Sequence, residues 1–221
     1  MTDRQAGLEK LLKQSPIVAV LVIDDAATVV PLARALVRGG VRLIEITLRT
    51  PAAWEAIRRM AGEVEDAITG AGTILTPEQF AEADRIGCHF TVSPGATPRL
   101  MAAAAEARTP WLPGAATASE MLLLLEHGYR LQKFFPAEQA GGAAYLQSLA
   151  SPLSAVRFCP TGGIDERNVA RYLELPNVLC VGGSWIAPAE LIRAGKWDAV
   201  AARAAEASRV PHQAIEHDGF H

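Results

Sequence analysis

One feature constrains the fold of this chain more than any other. A short β-branched or apolar run, a turn and an Ala/Leu-rich segment with helical spacing recur along its length. Strands are expected at 17–23, 43–49, 67–74, 89–93, 111–115, 131–135, 156–161 and 178–182. Helices are expected at 26–38, 51–64, 77–86, 98–107, 119–127, 143–150, 166–174 and 188–207. Strands alternating with helices imply a parallel sheet built by right-handed crossovers. Eight such units close into a (β/α)8 TIM barrel, so the predicted class is α/β with one barrel domain over 1–221. The alternative is an open doubly wound sheet, but no G-x-G-x-x-G follows the first strand. Half of the residues are hydrophobic, enough to fill one core.

Local signals support the helices. Thr50-Pro51, Thr76-Pro77, Thr97-Pro98 and Ser119-Glu120 place a capping residue before Pro or an acidic first turn, and Gly39, Gly87 and Gly128 suit left-handed C-caps. Leu8, Leu11 and Leu12 recur at helical spacing, which predicts an extra N-terminal helix over 1–15. The polar segment 208–221, with three of the five histidines, is expected to be a flexible or loosely docked tail.

Charge excludes several function classes. The net charge is −3 and no basic stripe occurs, so neither nucleic acid nor an anionic membrane surface is an expected partner. The longest apolar stretch, 17–23, is too short to cross a bilayer, and no secretory leader pattern opens the chain. Cys88, Cys159 and Cys180 are odd in number and widely spaced, which predicts buried reduced thiols in a cytoplasmic protein. Neither His89 nor His127 has ligand spacing, so no metal site is expected.

In a barrel, reactive groups belong at the C-terminal strand ends. Alternation in the second strand puts Glu45, Thr47 and Arg49 on the interior face, with Arg49 nearest the mouth. Glu45 is then either an internal ion-pair partner or an acid/base. The chain has only four lysines, Lys10, Lys13, Lys133 and Lys196, and Lys133 alone lies in a strand, beside Leu131, Phe134 and Phe135. Desolvation there is expected to favour the neutral, nucleophilic amine that imine formation needs. A structural pairing with Glu45 or outward snorkelling remains the other reading of Lys133. Glycine turns after the seventh and eighth strands, Thr161-Gly162-Gly163 and Gly182-Gly183-Ser184, suit a phosphate, whose oxygens can approach bare backbone amides. Tight barrel turns would use the same glycines.

Together with Gly70-Ala71-Gly72-Thr73, Ser93-Pro94-Gly95, Lys133-Phe134-Phe135-Pro136-Ala137-Glu138 and Gly182-Gly183-Ser184-Trp185, the segment Glu45-Ile46-Thr47-Leu48-Arg49-Thr50 resembles the 2-keto-3-deoxy-6-phosphogluconate (KDPG) aldolase family, which includes the 4-hydroxy-2-oxoglutarate aldolases. The resemblance runs in family order over about 16–191. It implies a metal-free, cofactor-independent class I aldolase, a lyase of carbohydrate metabolism in the Entner-Doudoroff pathway, that forms homotrimers. Reversible cleavage of KDPG to pyruvate and D-glyceraldehyde 3-phosphate is the implied reaction. By resemblance Lys133 is the Schiff-base lysine and Glu45 the general acid/base. Arg49, Thr73, Pro94, Phe135 and Thr161 hold the pyruvate moiety, and Gly162, Gly163, Gly183 and Ser184 hold the phosphate. A sister aldolase acting on 4-hydroxy-2-oxoglutarate or the phosphogalactonate epimer is the alternative, and a phospho-sugar-binding sensor is the non-enzyme rival. Two departures from the family pattern are Gln132, which alternation turns away from Lys133, and Ala115-Ala116, which bears on the aldehyde side.

Overall fold

The computed structural model describes residues 3–212. Its strands are β1 (Ile17–Leu21), β2 (Leu43–Thr47), β3 (Ile68–Gly72), β4 (Phe90–Val92), β5 (Trp111–Leu112), β6 (Gly114–Ala115), β7 (Leu131–Phe134), β8 (Arg157–Pro160) and β9 (Val181–Gly183). The α-helices are α1 (Asp3–Leu12), α2 (Val29–Arg38), α3 (Ala53–Glu63), α4 (Pro77–Ile86), α5 (Pro98–Glu106), α6 (Ala118–Glu126), α7 (Gly142–Leu149), α8 (Val169–Leu173), α9 (Ala189–Arg193) and α10 (Trp197–Ser208). The fold is α/β, and every ladder is parallel. One sheet runs β5-β4-β3-β2-β1-β9 and the other β6-β7-β8. Isolated parallel bridges, Phe158 to Val178 and Thr161 to Gly182, link β8 to the β9 segment. No helix among the described residues is long and apolar enough to cross a membrane.

Strand alternation divides the apolar residues into two bodies. Ile44, Ile46, Ala71, Phe134 and Phe158 pack outward against Leu32, Ile57, Phe80, Leu124 and Tyr172 of the helices. Val18, Leu43, Ile68, Phe90, Leu131 and Cys180 form a second cluster with Leu8 and Leu12 of α1. Leu43, Ile68, Phe90 and Leu131 each open their strand, so α1 covers the end of the sheets where the strands begin. Gln5 fastens it: its Nε2 donates to the Trp111 carbonyl (3.0 Å) and its Oε1 accepts from the Leu131 amide (3.1 Å). With that end filled by apolar side chains, the interior polar groups lie toward the opposite end.

Several boundaries differ from the sequence expectation, each for a local reason. The fifth strand divides into β5 and β6 around Pro113, which has no N–H for the ladder but whose carbonyl accepts from Lys133 (2.8 Å). The last helix breaks into α9 and α10 at Gly195, which takes φ +62°. Thr97 caps α5 as expected, accepting from the Leu100 amide. At α6 the cap is Thr117 rather than Ser119, and Glu120 reaches back to the amides of Ala116 and Thr117 (2.8 and 2.9 Å). Thr50 caps nothing and donates instead to the Ile23 carbonyl. Gly87 takes the left-handed C-cap of α4, and Gly128 is left-handed just beyond α6, but at the end of α2 Gly39 has φ −81° and the left-handed residue is Gly40. The expected tail begins where α10 ends, and its residues 213–221 lie outside the described residues.

Candidate active site

Glu45 is the middle residue of β2 and Lys133 the third of β7, in different sheets. Their side chains meet across the interior, with Lys133 Nζ donating to Glu45 Oε1 at 3.4 Å. Both residues are almost wholly withdrawn from solvent, at 4% and 2% exposure. A pair so buried is held by the fold, because neither charge can find water to replace its partner.

Glycine makes the space. Alternation turns Gly70 and Gly72 of β3 to the same face as Ile68, and a Cβ on Gly72 would overlap the Glu45 carboxyl group. Gly114 is the ladder partner of Lys133, and a Cβ there would strike the Pro94 backbone. Gly182 would in the same way collide with the Thr161 hydroxyl. The sequence reading named Gly70 and Gly72 only as part of a motif and Gly182 as part of a phosphate turn, and it passed over Gly114. The signal was glycine at interior positions of strands that otherwise favour branched residues.

The other predicted residues distribute around this pair. Phe135 is half-buried with its ring centroid 5.1 Å from Lys133 Nζ, in reach of a cation–π contact. Phe134 faces the opposite way, into the helix-side core beside Tyr145 and Phe158, which corrects the expectation that both rings flank the amine. Thr161 is buried, and its amide donates to the Phe134 carbonyl (2.9 Å), one step beyond the Lys133 to Cys159 register. Pro94 is half-buried against Gly114.

Arg49 requires a correction. Strand β2 ends at Thr47: the Leu48 amide still makes the last ladder bond, to the Gly72 carbonyl (2.9 Å), but the Arg49 amide folds back on the Thr47 carbonyl (2.8 Å) and Arg49 enters a turn. Arg49 is therefore exposed at the rim instead of inside, and its guanidinium pairs with no described residue. Thr73 follows Gly72 on the adjoining rim and takes φ +62°, a strained conformation for a β-branched residue and the kind found where function fixes the backbone. Gly162 and Gly163 have φ +106° and +76°. Their amides and that of Ser184 donate to no described acceptor. The Thr161 to Gly182 bridge brings these two turns side by side.

The remaining candidate nucleophiles are quiet. A hydrogen bond with Cys159 and complete burial push the Cys180 thiol well up, and burial pushes Cys88 up to about 12. Among the described residues no three His, Cys, Asp or Glu side chains gather as metal ligands would. Gln132 does turn outward: its Nε2 donates to the carbonyls of Met121 and Tyr129 (3.0 and 2.9 Å), tying β7 to α6.

A buried lysine against a carboxylate, an arginine and a strained threonine on one rim and two open glycine turns on another can bind a doubly anionic carbonyl compound and form an imine with it. The family model for KDPG and KHG aldolase matches residues 8–203. The chain is 49% identical to the 2-dehydro-3-deoxy-phosphogluconate aldolase of Dickeya dadantii over 207 residues, 94% of this chain and 97% of that protein. Among solved structures, the 2-keto-3-deoxy-6-phosphogluconate aldolase of Zymomonas mobilis ZM4 with 3-phosphoglycerate superposes with a TM-score of 0.88 at 45% identity, covering 94% of this chain and 98% of that one. The KDPG aldolase of Legionella pneumophila, with pyruvate captured at low pH as a covalent carbinolamine intermediate, also gives 0.88, at 40% identity and the same coverage.

Proposed function

Since the chain belongs to the KDPG and KHG aldolase family and is a class I aldolase acting on 2-keto-3-deoxy-6-phosphogluconate, we propose that Lys133 carries the imine and Glu45 moves the protons. The observation that carries this assignment is the buried 3.4 Å contact between Lys133 Nζ and Glu45 Oε1.

Transfer of a proton from Lys133 toward Glu45 frees the amine lone pair to attack the C2 ketone. The carbinolamine loses water to a protonated imine, which is the electron sink, so the step calls on no metal or cofactor. Glu45, returned to its carboxylate by protonating the departing hydroxyl, takes the C4 hydroxyl proton through a water; the C3–C4 bond breaks, releasing D-glyceraldehyde 3-phosphate and leaving an enamine on Lys133. Glu45, through a water, protonates the enamine carbon, and hydrolysis returns pyruvate and free lysine. Arg49 anchors the substrate carboxylate by a charge-assisted pair, with Thr73 beside it and Pro94, Phe135 and Thr161 around the pyruvate carbons. Gly162, Gly163 and Ser184 take the phosphate on their amides and the Ser184 hydroxyl, with Gly183, whose amide belongs to the β9 ladder, beside them.

We read the two sheets and the bridges between them as eight staves of a single (β/α)8 barrel, β5 and β6 forming one stave, with α1 as the added N-terminal helix. In that ring β2 stands opposite β7, and the carboxylate rim after β2 and β3 is separated from the phosphate rim after β8 and β9 by β1 on one side and by β4 to β7 on the other, so a substrate spanning the mouth brings its C2 over Lys133. A cytoplasmic homotrimer is the proposed state, supported by the family. Light scattering should give three times the mass of 23.5 kDa.

The substrate test compares KDPG, its galactonate epimer and unphosphorylated 4-hydroxy-2-oxoglutarate by pyruvate release. The reading expects KDPG to have the largest kcat/KM. A clear preference for either other compound would move the assignment to the corresponding sister aldolase.

A further inference from the structure

Glu138 ends the Lys133-Phe134-Phe135-Pro136-Ala137-Glu138 motif, yet the chemistry above gives it no task. Its surroundings are specific. Its amide donates to the Gly162 carbonyl (3.1 Å), while the neighbouring Ala137 amide donates to the Thr161 carbonyl (2.8 Å). Its stem lies against the bare Cα of Gly163, where an added Cβ would come within 2.8 Å of Glu138 Cβ. Its carboxylate accepts a hydrogen bond from the Tyr172 hydroxyl of α8. Tyr172 is buried at 1% exposure although Glu138 is exposed, so the hydroxyl is a fixed post and the carboxylate is the part it restrains. Burial and the neighbouring carboxylate push the tyrosine pKa up, which keeps the proton on the donor side. The far wall of the turn is fixed separately, by Asn168 Nδ2 donating to the Gly163 carbonyl (3.1 Å).

We propose that the Tyr172–Glu138 hydrogen bond is a positioning device that locks the Gly162–Gly163 turn to the segment carrying Lys133, and so selects substrates bearing a phosphate. The geometry makes the link directly. Glu138 is five residues from Lys133 along the chain, and it braces the back of the turn whose amides face the other end of the substrate. Tyr172 and Glu138 touch no reacting atom in this account. They fix the spacing between imine and phosphate subsites, and small losses of such spacing are costly because binding energy at the phosphate is used to orient the reacting carbons. The inference rests on the phosphate end proposed above.

The test is steady-state kinetics of Tyr172→Phe and Glu138→Ala with KDPG and with 4-hydroxy-2-oxoglutarate, beside trapping of pyruvate by borohydride. Tyr172→Phe removes one oxygen from a packed ring and leaves the fold intact. The expected result is a fall of about tenfold in kcat/KM for KDPG, mainly through KM, the size typical of losing a hydrogen bond to a charged group. The unphosphorylated substrate and pyruvate trapping should stay within about twofold. Glu138→Gln, which retains an acceptor oxygen for Tyr172, should recover most of the loss seen in Glu138→Ala. Equal losses on both substrates, or no loss on KDPG, would overturn the positioning role. A wild-type enzyme indifferent to the phosphate would instead overturn the phosphate end itself, and this inference with it.

Discussion

Glu45 and Lys133 meet as a pair only because their neighbours leave room for them. The interior would close on Glu45 if Gly72 carried any side chain, since the first added carbon already overlaps the carboxyl group. We expect Gly72→Ala to fold at a cost of about 1–3 kcal/mol, read from the urea midpoint, and to lose most of its turnover because Glu45 is displaced. Removing the proton acceptor without changing its shape is a sharper probe. Glu45→Gln should slow deuterium exchange into the pyruvate methyl group, followed by NMR, by about 10²- to 10⁴-fold. Exchange at the wild-type rate would take Glu45 out of the chemistry. At this scale the sequence was informative wherever a residue was chemically out of place: a carboxylate and the one strand-borne lysine among apolar runs. It misplaced Arg49, because alternation counts along a strand and cannot see the turn, from the Arg49 amide to the Thr47 carbonyl, that ends it two residues earlier. It gave no role to Glu138, whose partner Tyr172 lies on another element.

Elements are fixed by caps and by the faces they bury. The Glu120 carboxylate closes the start of α6, and the Ala116 amide, then those of Thr117, hold its carboxyl below the usual range against the opposing effect of partial burial. A carboxylate with a lowered folded pKa stabilises above its unfolded value, about 4.3, and that contribution is lost as pH falls through the folded value. Glu120 is exposed and solvent screens these bonds, so Glu120→Ala should cost no more than about 1 kcal/mol near neutrality, and the gap to wild type should shrink as the pH drops below about 4, followed by thermal melts. Helix α1 bears only on the end remote from the chemistry. Leu8→Ala should cost about 2–5 kcal/mol in stability while kcat stays near that of wild type. Loss of turnover in a fully folded Leu8→Ala would show that the two ends are coupled. The order and type of these elements were legible because each carries its own period. The breaks at Pro113 and Gly195 were visible as residues but not as interruptions, since a single Pro or Gly is tolerated or not according to tertiary pairing.

The whole molecule joins two separate requirements: an apolar plug at the end where strands begin, and a polar mouth where they finish. The three cysteines belong to the packed part, and native protein should resist alkylation by iodoacetamide at all of them until it is unfolded. The central claim is that a buried amine at Lys133 forms an imine. Its most direct test is intact-mass spectrometry with peptide mapping after incubation with pyruvate and borohydride, with Lys133→Ala in parallel. The account predicts one reduced pyruvate adduct per chain, located on Lys133 and lost in the folded variant. No adduct on folded wild type under conditions that trap a known imine enzyme, or an adduct on Lys10, Lys13 or Lys196 that persists in the variant, would contradict it.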